Sequence, residues 1–127
     1  MNNFDLSVVV VDDMAVSRGL ITHALDWMNI LNYRTCADPL EALEMISHRP
    51  AHLVISDYYM PSMDGLQLLE RIRSMPVLSR TGFILVTGKI DQSIVSRGKS
   101  MGLNNLIVKP FTKEKMKECI EKVVSFS

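Results

Sequence analysis

The sequence holds 127 residues, in which 14 lysines and arginines balance 14 aspartates and glutamates. A chain of this length predicts one domain, residues 1–127, large enough to bury a core. Zero formal net charge excludes a general attraction to nucleic acid or anionic membrane. No apolar run reaches the ~20 residues of a membrane span, and the start MNNFDL is no signal peptide.

The first strand is predicted over Val8 to Asp12. Val8 to Val11 are all β-branched with no polar alternation, which marks a strand covered on both faces and hence a parallel sheet with helices on each side. It ends in Asp12-Asp13. A helix follows, with Leu20, Ile21, Ala24, Leu25 and Met28 as its apolar stripe. Tyr33 to Ala37 reads as a second strand, more polar and so suited to a sheet edge. Asp38 is placed to cap the second helix, Pro39 fits its first position, and Glu41 completes a capping-box-like pair. His48-Arg49 put positive charge at its end, and Pro50 stops it.

The third strand, Leu53 to Ser56, delivers Asp57 at its carboxyl end, and Pro61, with fixed φ and no N–H, stops it. Asp64 starts a helix through Leu68, Leu69 and Ile72, ended by Pro76. The fourth strand, Phe83 to Thr87, closes in Thr87-Gly88. The next helix draws its periodicity from Ile94, Val95 and Met101. Gly98 inside it costs about 1 kcal/mol relative to Ala, so this helix is expected to be short or mobile. The fifth strand, Asn104 to Val108, ends in Lys109-Pro110. The last helix begins at Thr112. Phe111 and Met116 have the spacing of a hydrophobic staple, and the stripe runs through Met116, Cys119, Ile120, Val123 and Val124. Strands alternating with helices define an α/β class. Cys36 and Cys119 lack a CxxC spacing and read as two reduced core thiols of a cytosolic protein; His23, His48 and His52 lack a zinc-site spacing.

Parallel strands point the same way, so their carboxyl ends share one rim. That rim receives Asp12 and Asp13 from the first strand, Asp57 from the third, Thr87 from the fourth and Lys109 from the fifth. Three carboxylates repel and raise one another's pKa unless a cation intervenes. Mg²⁺ accepts one or two carboxylates together with waters and phosphate oxygens. Lys109 adds positive charge and Thr87 a hydrogen-bond donor, so the set suits a phosphoryl group, with Asp57 as the nucleophile that forms an acyl phosphate. Taken singly, Asp13 could equally cap the first helix, Asp64 reads as a cap, Thr87 as structural and Lys109 as a solvated side chain. Their convergence carries the reading.

These residues, in this order, resemble the CheY-like receiver domains of two-component response regulators. The matching stretches are VVVVDD through Asp13, Asp57-Tyr58-Tyr59-Met60-Pro61 with Asp64-Gly65, Thr87-Gly88, and Lys109-Pro110-Phe111. The resemblance covers essentially the whole chain. It implies a flavodoxin-like (βα)5 fold, a doubly wound five-stranded parallel sheet of order 2-1-3-4-5. It implies that Asp57 takes a phosphoryl group from the phosphohistidine of a sensor histidine kinase or phosphotransfer protein. Mg²⁺ would be held by Asp12, Asp13, Asp57 and the backbone carbonyl of Tyr59, with Thr87 and Lys109 on the phosphoryl oxygens and a cis Lys109-Pro110 bond. Phosphorylation would shift an equilibrium on the face formed by the fourth helix, fifth strand and fifth helix. A stand-alone receiver of this kind acts in the cytoplasm by contact with a downstream protein, a flagellar motor switch in chemotaxis or the next carrier in a relay.

The family's usual aromatic residue three places before the lysine is Leu106 here. Output is therefore expected to depend on backbone and helix movement more than on residue 106. Gly88 and Lys89 beside Thr87, and Tyr59 beyond Asp57, flank the phosphoryl site, and Tyr59 is expected to limit water access to the aspartyl phosphate. Two other functions compete. An aspartate-nucleophile phosphatase of the haloacid dehalogenase type needs a second Asp where this chain has Tyr59. A degenerate receiver binds partners without being phosphorylated, and the complete acidic set weighs against it. The chain is read as a phospho-accepting switch, not an enzyme turning over an external metabolite.

Overall fold

A computed structural model describes residues 5–124; residues 1–4 and 125–127, part of the single domain expected over residues 1–127, lie outside the described residues. Among the described residues the chain alternates β1 (Val8–Val11), α1 (Ala15–Trp27), β2 (Tyr33–Cys36), α2 (Pro39–His48), β3 (Leu53–Asp57), α3 (Gly65–Arg73), β4 (Gly82–Thr87), α4 (Gln92–Ser100), β5 (Asn105–Val108) and α5 (Lys113–Glu121). A short 3-10 turn, Pro76–Leu78, precedes β4. The strands form one parallel sheet in the order β2-β1-β3-β4-β5. No helix among the described residues is long and apolar enough to cross a membrane.

The continuous apolar strands are explained by two cores, one on each sheet face. Successive side chains of a strand point to opposite faces. Val9, Val11, Val54, Phe83 and Leu85 therefore pack with α2, α3 and α4 through Leu43, Ile46, Leu69, Ile72 and Ile94. Val8, Val10, Ile55, Ile84, Val86 and Ile107 pack with α1 and α5 through Ile21, Leu25, Met116 and Ile120. Each fully buried Val, Leu or Ile contributes about 1.5–3 kcal/mol relative to exposure. Cys36 sits in the first core and Cys119 in the second, both as free thiols. Burial raises the Cys36 thiol pKa and pushes that of Cys119 up to about 11, so both remain protonated at neutral pH.

Several local expectations are corrected. Leu20 is not a core residue: it is 57% exposed, and Ser17, Ile21, Ala24, Leu25 and Met28 carry the inward face of α1. Asp38 caps α2 by accepting from the Leu40 N–H, and the reciprocal capping box lies instead in α3, where Asp64 accepts from the Gln67 N–H while Gln67 accepts from the Asp64 N–H. β1 ends at Val11 and β2 at Cys36, although the Asp12 N–H still donates to the Cys36 carbonyl at 3.0 Å. β5 starts at Asn105 because Asn104 turns its side chain onto β4, where its Oδ1 accepts from the Phe83 N–H at 2.8 Å.

Gly98 is not a flaw in α4. A Cβ there would lie 2.7 Å from Leu103 Cδ2, so the glycine lets the turn after α4 fold against the helix. That turn is pinned from α3. Arg73 donates to the carbonyls of Ser79, Thr81 and Gly102 and to Asn104 Oδ1, the closest at 2.6 Å. α4 is nine residues long, the same as α3 and α5. Phe111, just before the Thr112 cap of α5, packs against the core that holds Met116, as the staple spacing requires.

Candidate functional site

The parallel ladder brings the carboxyl ends of β1, β3, β4 and β5 to one rim. Asp12, next after β1, is fully buried. Its carbonyl accepts from Arg18 Nη1 at 2.8 Å and its Oδ1 accepts from the Met14 N–H at 3.0 Å. Its Oδ2 is buried with no hydrogen-bond partner and lies 3.8 Å from Lys109 Nζ. Asp57, the last residue of β3, is also buried. Its Oδ1 accepts from the Tyr58 N–H at 2.9 Å and lies 3.3 Å from Lys109 Nζ. Asp13 is exposed, yet one carboxylate oxygen each from Asp12, Asp13 and Asp57 falls within 4.8 Å of the others. α1 is preceded by Met14 with no side-chain cap, so Asp13 is not used as a helix cap.

The electrostatics are unbalanced. Burial raises the pKa of the Asp57 carboxyl and the charge of Asp12 raises it further, while Lys109 and the Tyr58 N–H act against both. One ammonium faces the carboxylates of Asp12 and Asp57, with an oxygen of Asp13 close to both of theirs. A buried carboxylate oxygen left without a hydrogen bond needs an explanation, and a bound ion is one of the standard ones. Oxygen-only donors that close to one another fit a hard divalent cation.

The remaining predicted residues are placed less directly. Thr87 ends β4 and is buried, but its hydroxyl donates to the Lys89 carbonyl at 3.2 Å, within its own loop. Its carbonyl accepts from the Lys109 N–H at 2.8 Å, which ties the two residues through the backbone. The Lys109-Pro110 bond is cis. Gly88 and Lys89 are exposed. The Tyr59 ring is 75% exposed and meets Tyr58 edge-on at 4.9 Å between centroids. Leu106 is half-buried and lines a groove of about 270 Å³ with Val95, Lys99 and Leu103.

Two residues at the site have roles that spacing alone does not reveal. Gly65 enters the sequence reading only within the Asp64-Gly65 match. A Cβ on it would lie 2.6 Å from the Asp57 carbonyl oxygen and 2.5 Å from Leu85 Cδ1, so only glycine lets α3 begin against the end of β3. Arg18 carried no signal at all. It stands on α1 and Asp12 beyond a strand, and no single periodicity links the two.

Comparison with known proteins agrees with this arrangement. The family described as "Response regulator receiver domain" matches residues 8–121. A relative named probable chemotaxis protein CheY, from Rhizobium etli, is 38% identical over 118 residues, covering 93% of this chain and 92% of that protein. Chemotaxis protein CheY-3 of Vibrio cholerae is 29% identical over 95% of this chain and 93% of its own. The solved structure of the chemotaxis response regulator CheY4 of Vibrio cholerae superposes with a TM-score of 0.86 at 27% identity, over 94% of this chain and 98% of that one. Its sheet order, its rim of acidic residues and these matches together place the chain in the family of response regulator receiver domains.

Proposed function

We propose that this chain acts over residues 1–127 as one receiver unit in two-component signalling, and that Asp57 accepts the phosphoryl group. The observation that carries the reading is the packing of Asp12, Asp13 and Asp57 oxygens within 4.8 Å, with Lys109 3.3 Å from the Asp57 carboxylate. Asp12, Asp13, Asp57 and the Tyr59 carbonyl would hold Mg²⁺, which when bound supplies positive charge to the phosphoryl oxygens. Both contacts on the Asp57 carboxylate fall on Oδ1, which leaves Oδ2 to attack phosphorus. The P–N bond of the donor phosphohistidine breaks as the P–O bond to Asp57 forms, and the imidazole leaves with the electron pair and takes up a proton. Lys109 neutralises the phosphoryl oxygens. Thr87 reaches them by giving up its bond to the Lys89 carbonyl, and this exchange couples the site to the loop that leads into α4.

The test is incubation with acetyl phosphate and Mg²⁺, followed by mass spectrometry. One phosphoryl group on Asp57 of the parent and none on Asp57→Asn is the expected result. An unmodified parent chain favours a degenerate receiver, and rapid turnover of unrelated phosphomonoesters favours a phosphatase.

The phosphodonor is a histidine kinase or phosphotransfer protein. Met14, just before α1, and Val16 and Leu20 on α1 are exposed and, with Lys109, Pro110 and Phe111, line an apolar groove of about 440 Å³ beside the site. We assign the donor's docking to this groove. Leu20→Asp is expected to slow transfer from a phosphorylated kinase domain by at least about tenfold, since burying an unpaired charge there is costly. Labelling by acetyl phosphate stays unchanged in the same variant. Equal slowing with both donors would show a damaged site instead.

The chemotaxis names of the relatives make a motor-switch protein the first downstream partner to test. Because Leu106 is half-buried beside α4, we assign the output to movement of α4 and the β5 backbone. Leu106→Ala is expected to retain the phosphorylation-induced change in amide exchange across α4. Loss of that change in a folded variant would reverse the assignment. Two buried, unpaired thiols fit a cytoplasmic setting.

A further inference from the structure

We infer that Arg18 is a positioning residue for the cation site, acting through Asp12. The inference rests on the reading of that site given above. A buried aspartate carries four polar groups: its N–H, its carbonyl and two carboxylate oxygens. In Asp12 the N–H is taken by the Cys36 carbonyl at 3.0 Å. Oδ1 is taken by the Met14 N–H at 3.0 Å. The carbonyl is taken by Arg18 Nη1 at 2.8 Å. Oδ2 alone has no hydrogen bond, and it faces Lys109.

Arg18 closes the loop that makes this possible. Its own N–H donates to the Met14 carbonyl at 2.9 Å, so the first turn of α1 is bound to the residue that holds Oδ1. Its guanidinium reaches back past that turn to the end of β1. The peptide following Asp12 carries Asp13, so a fixed carbonyl at Asp12 also sets the direction in which the Asp13 side chain leaves the backbone. A planar guanidinium with several fixed donors restrains a carbonyl more tightly than a single flexible ammonium can. Groups that orient metal ligands from outside the coordination sphere typically change metal affinity by roughly 10–100-fold when removed.

The sign of the effect separates positioning from simple charge. Arg18 is a cation beside a cation site. By Coulomb's law alone, deleting it would tighten divalent metal binding. If it positions Asp12, deleting it weakens binding. The measurement is the dissociation constant for Mg²⁺ from the dependence of the thermal midpoint on Mg²⁺, checked by Mn²⁺ electron paramagnetic resonance.

Arg18→Met keeps an apolar stem and is expected to bind Mg²⁺ about tenfold more weakly than the parent. Arg18→Lys, whose flexible ammonium holds the carbonyl less rigidly, is expected to fall between the two. An Arg18→Met affinity equal to or tighter than the parent's overturns the inference. If Arg18→Met shows no cooperative melt in EDTA, Arg18→Lys decides by the same rule: weaker than the parent supports positioning, equal or tighter overturns it. A parent chain that binds no Mg²⁺ instead defeats the underlying cation-site reading, and this shows before any variant is made.

Discussion

Mg²⁺ is expected to raise the unfolding midpoint of this chain, and Asp57→Asn to remove most of that rise. A ligand that binds only the folded state at a hundredfold excess over its dissociation constant stabilises by about 2.7 kcal/mol. The same charges fix the pH dependence in EDTA. Burial and the neighbouring Asp12 raise the folded-state pKa of Asp57 above its ordinary value of 3.8. A carboxyl whose folded pKa is raised contributes stability that is fully present below the unfolded pKa. That contribution is lost as pH rises through the raised folded value. The chain in EDTA should therefore lose this stability on going from acid toward neutral pH, and Asp57→Asn should flatten that part of the profile. Protons and metal compete for the same oxygens, so apparent Mg²⁺ affinity should weaken as pH falls into that window. A midpoint indifferent to Mg²⁺ across the neutral range would mean that the three carboxylates do not share an ion.

Lys109→Met is expected to produce two opposite effects in one variant. In EDTA it should be less stable than the parent, because Asp12 and Asp57 would then face each other without the ammonium 3.8 and 3.3 Å away. Lys109 is 29% exposed at its side chain, so solvent screens the pair, and a loss of about 1–2 kcal/mol is expected rather than the larger penalty of a fully buried pair. With Mg²⁺ the same variant should bind the ion several-fold more tightly, because one competing cation has gone. The methionine retains the apolar stem, which separates lost charge from lost packing. Calorimetric unfolding with and without Mg²⁺ measures both effects. A variant as stable as the parent in EDTA would remove Lys109 from the charge balance of the site.

How much was legible beforehand depended on whether a feature is periodic. The run Val8 to Val11 announced a two-sided sheet, and both faces of β1 are buried. Asp64 announced the start of α3 and caps it. The outward position of Leu20 is not legible, because the five apolar residues of its stripe span adjacent helix faces and their spacing does not reveal which face meets the sheet. It belongs to an exposed apolar surface continuous with Met14 and Val16. The packing role of Gly98 is not legible in the sequence, because a helix-propensity cost says nothing about a side chain, Leu103, that folds back onto the same helix. Arg73 carries no periodic signal in the sequence. Its partners come from the β4 approach and the α4–β5 turn, and only the packed chain brings them together.

From its residues alone this protein was bound to be a parallel α/β chain with Asp12, Asp13, Asp57, Thr87 and Lys109 at strand ends on one rim. Alternation, strand length and turn residues are local, and local rules suffice for that much. Only the tertiary structure settled which oxygen of Asp12 is left without a partner, that the Thr87 hydroxyl is held by Lys89, and that Arg18 grips the Asp12 carbonyl. Those facts depend on distances of a few ångströms between segments far apart in sequence, and such distances come from how two cores pack against a twisted sheet.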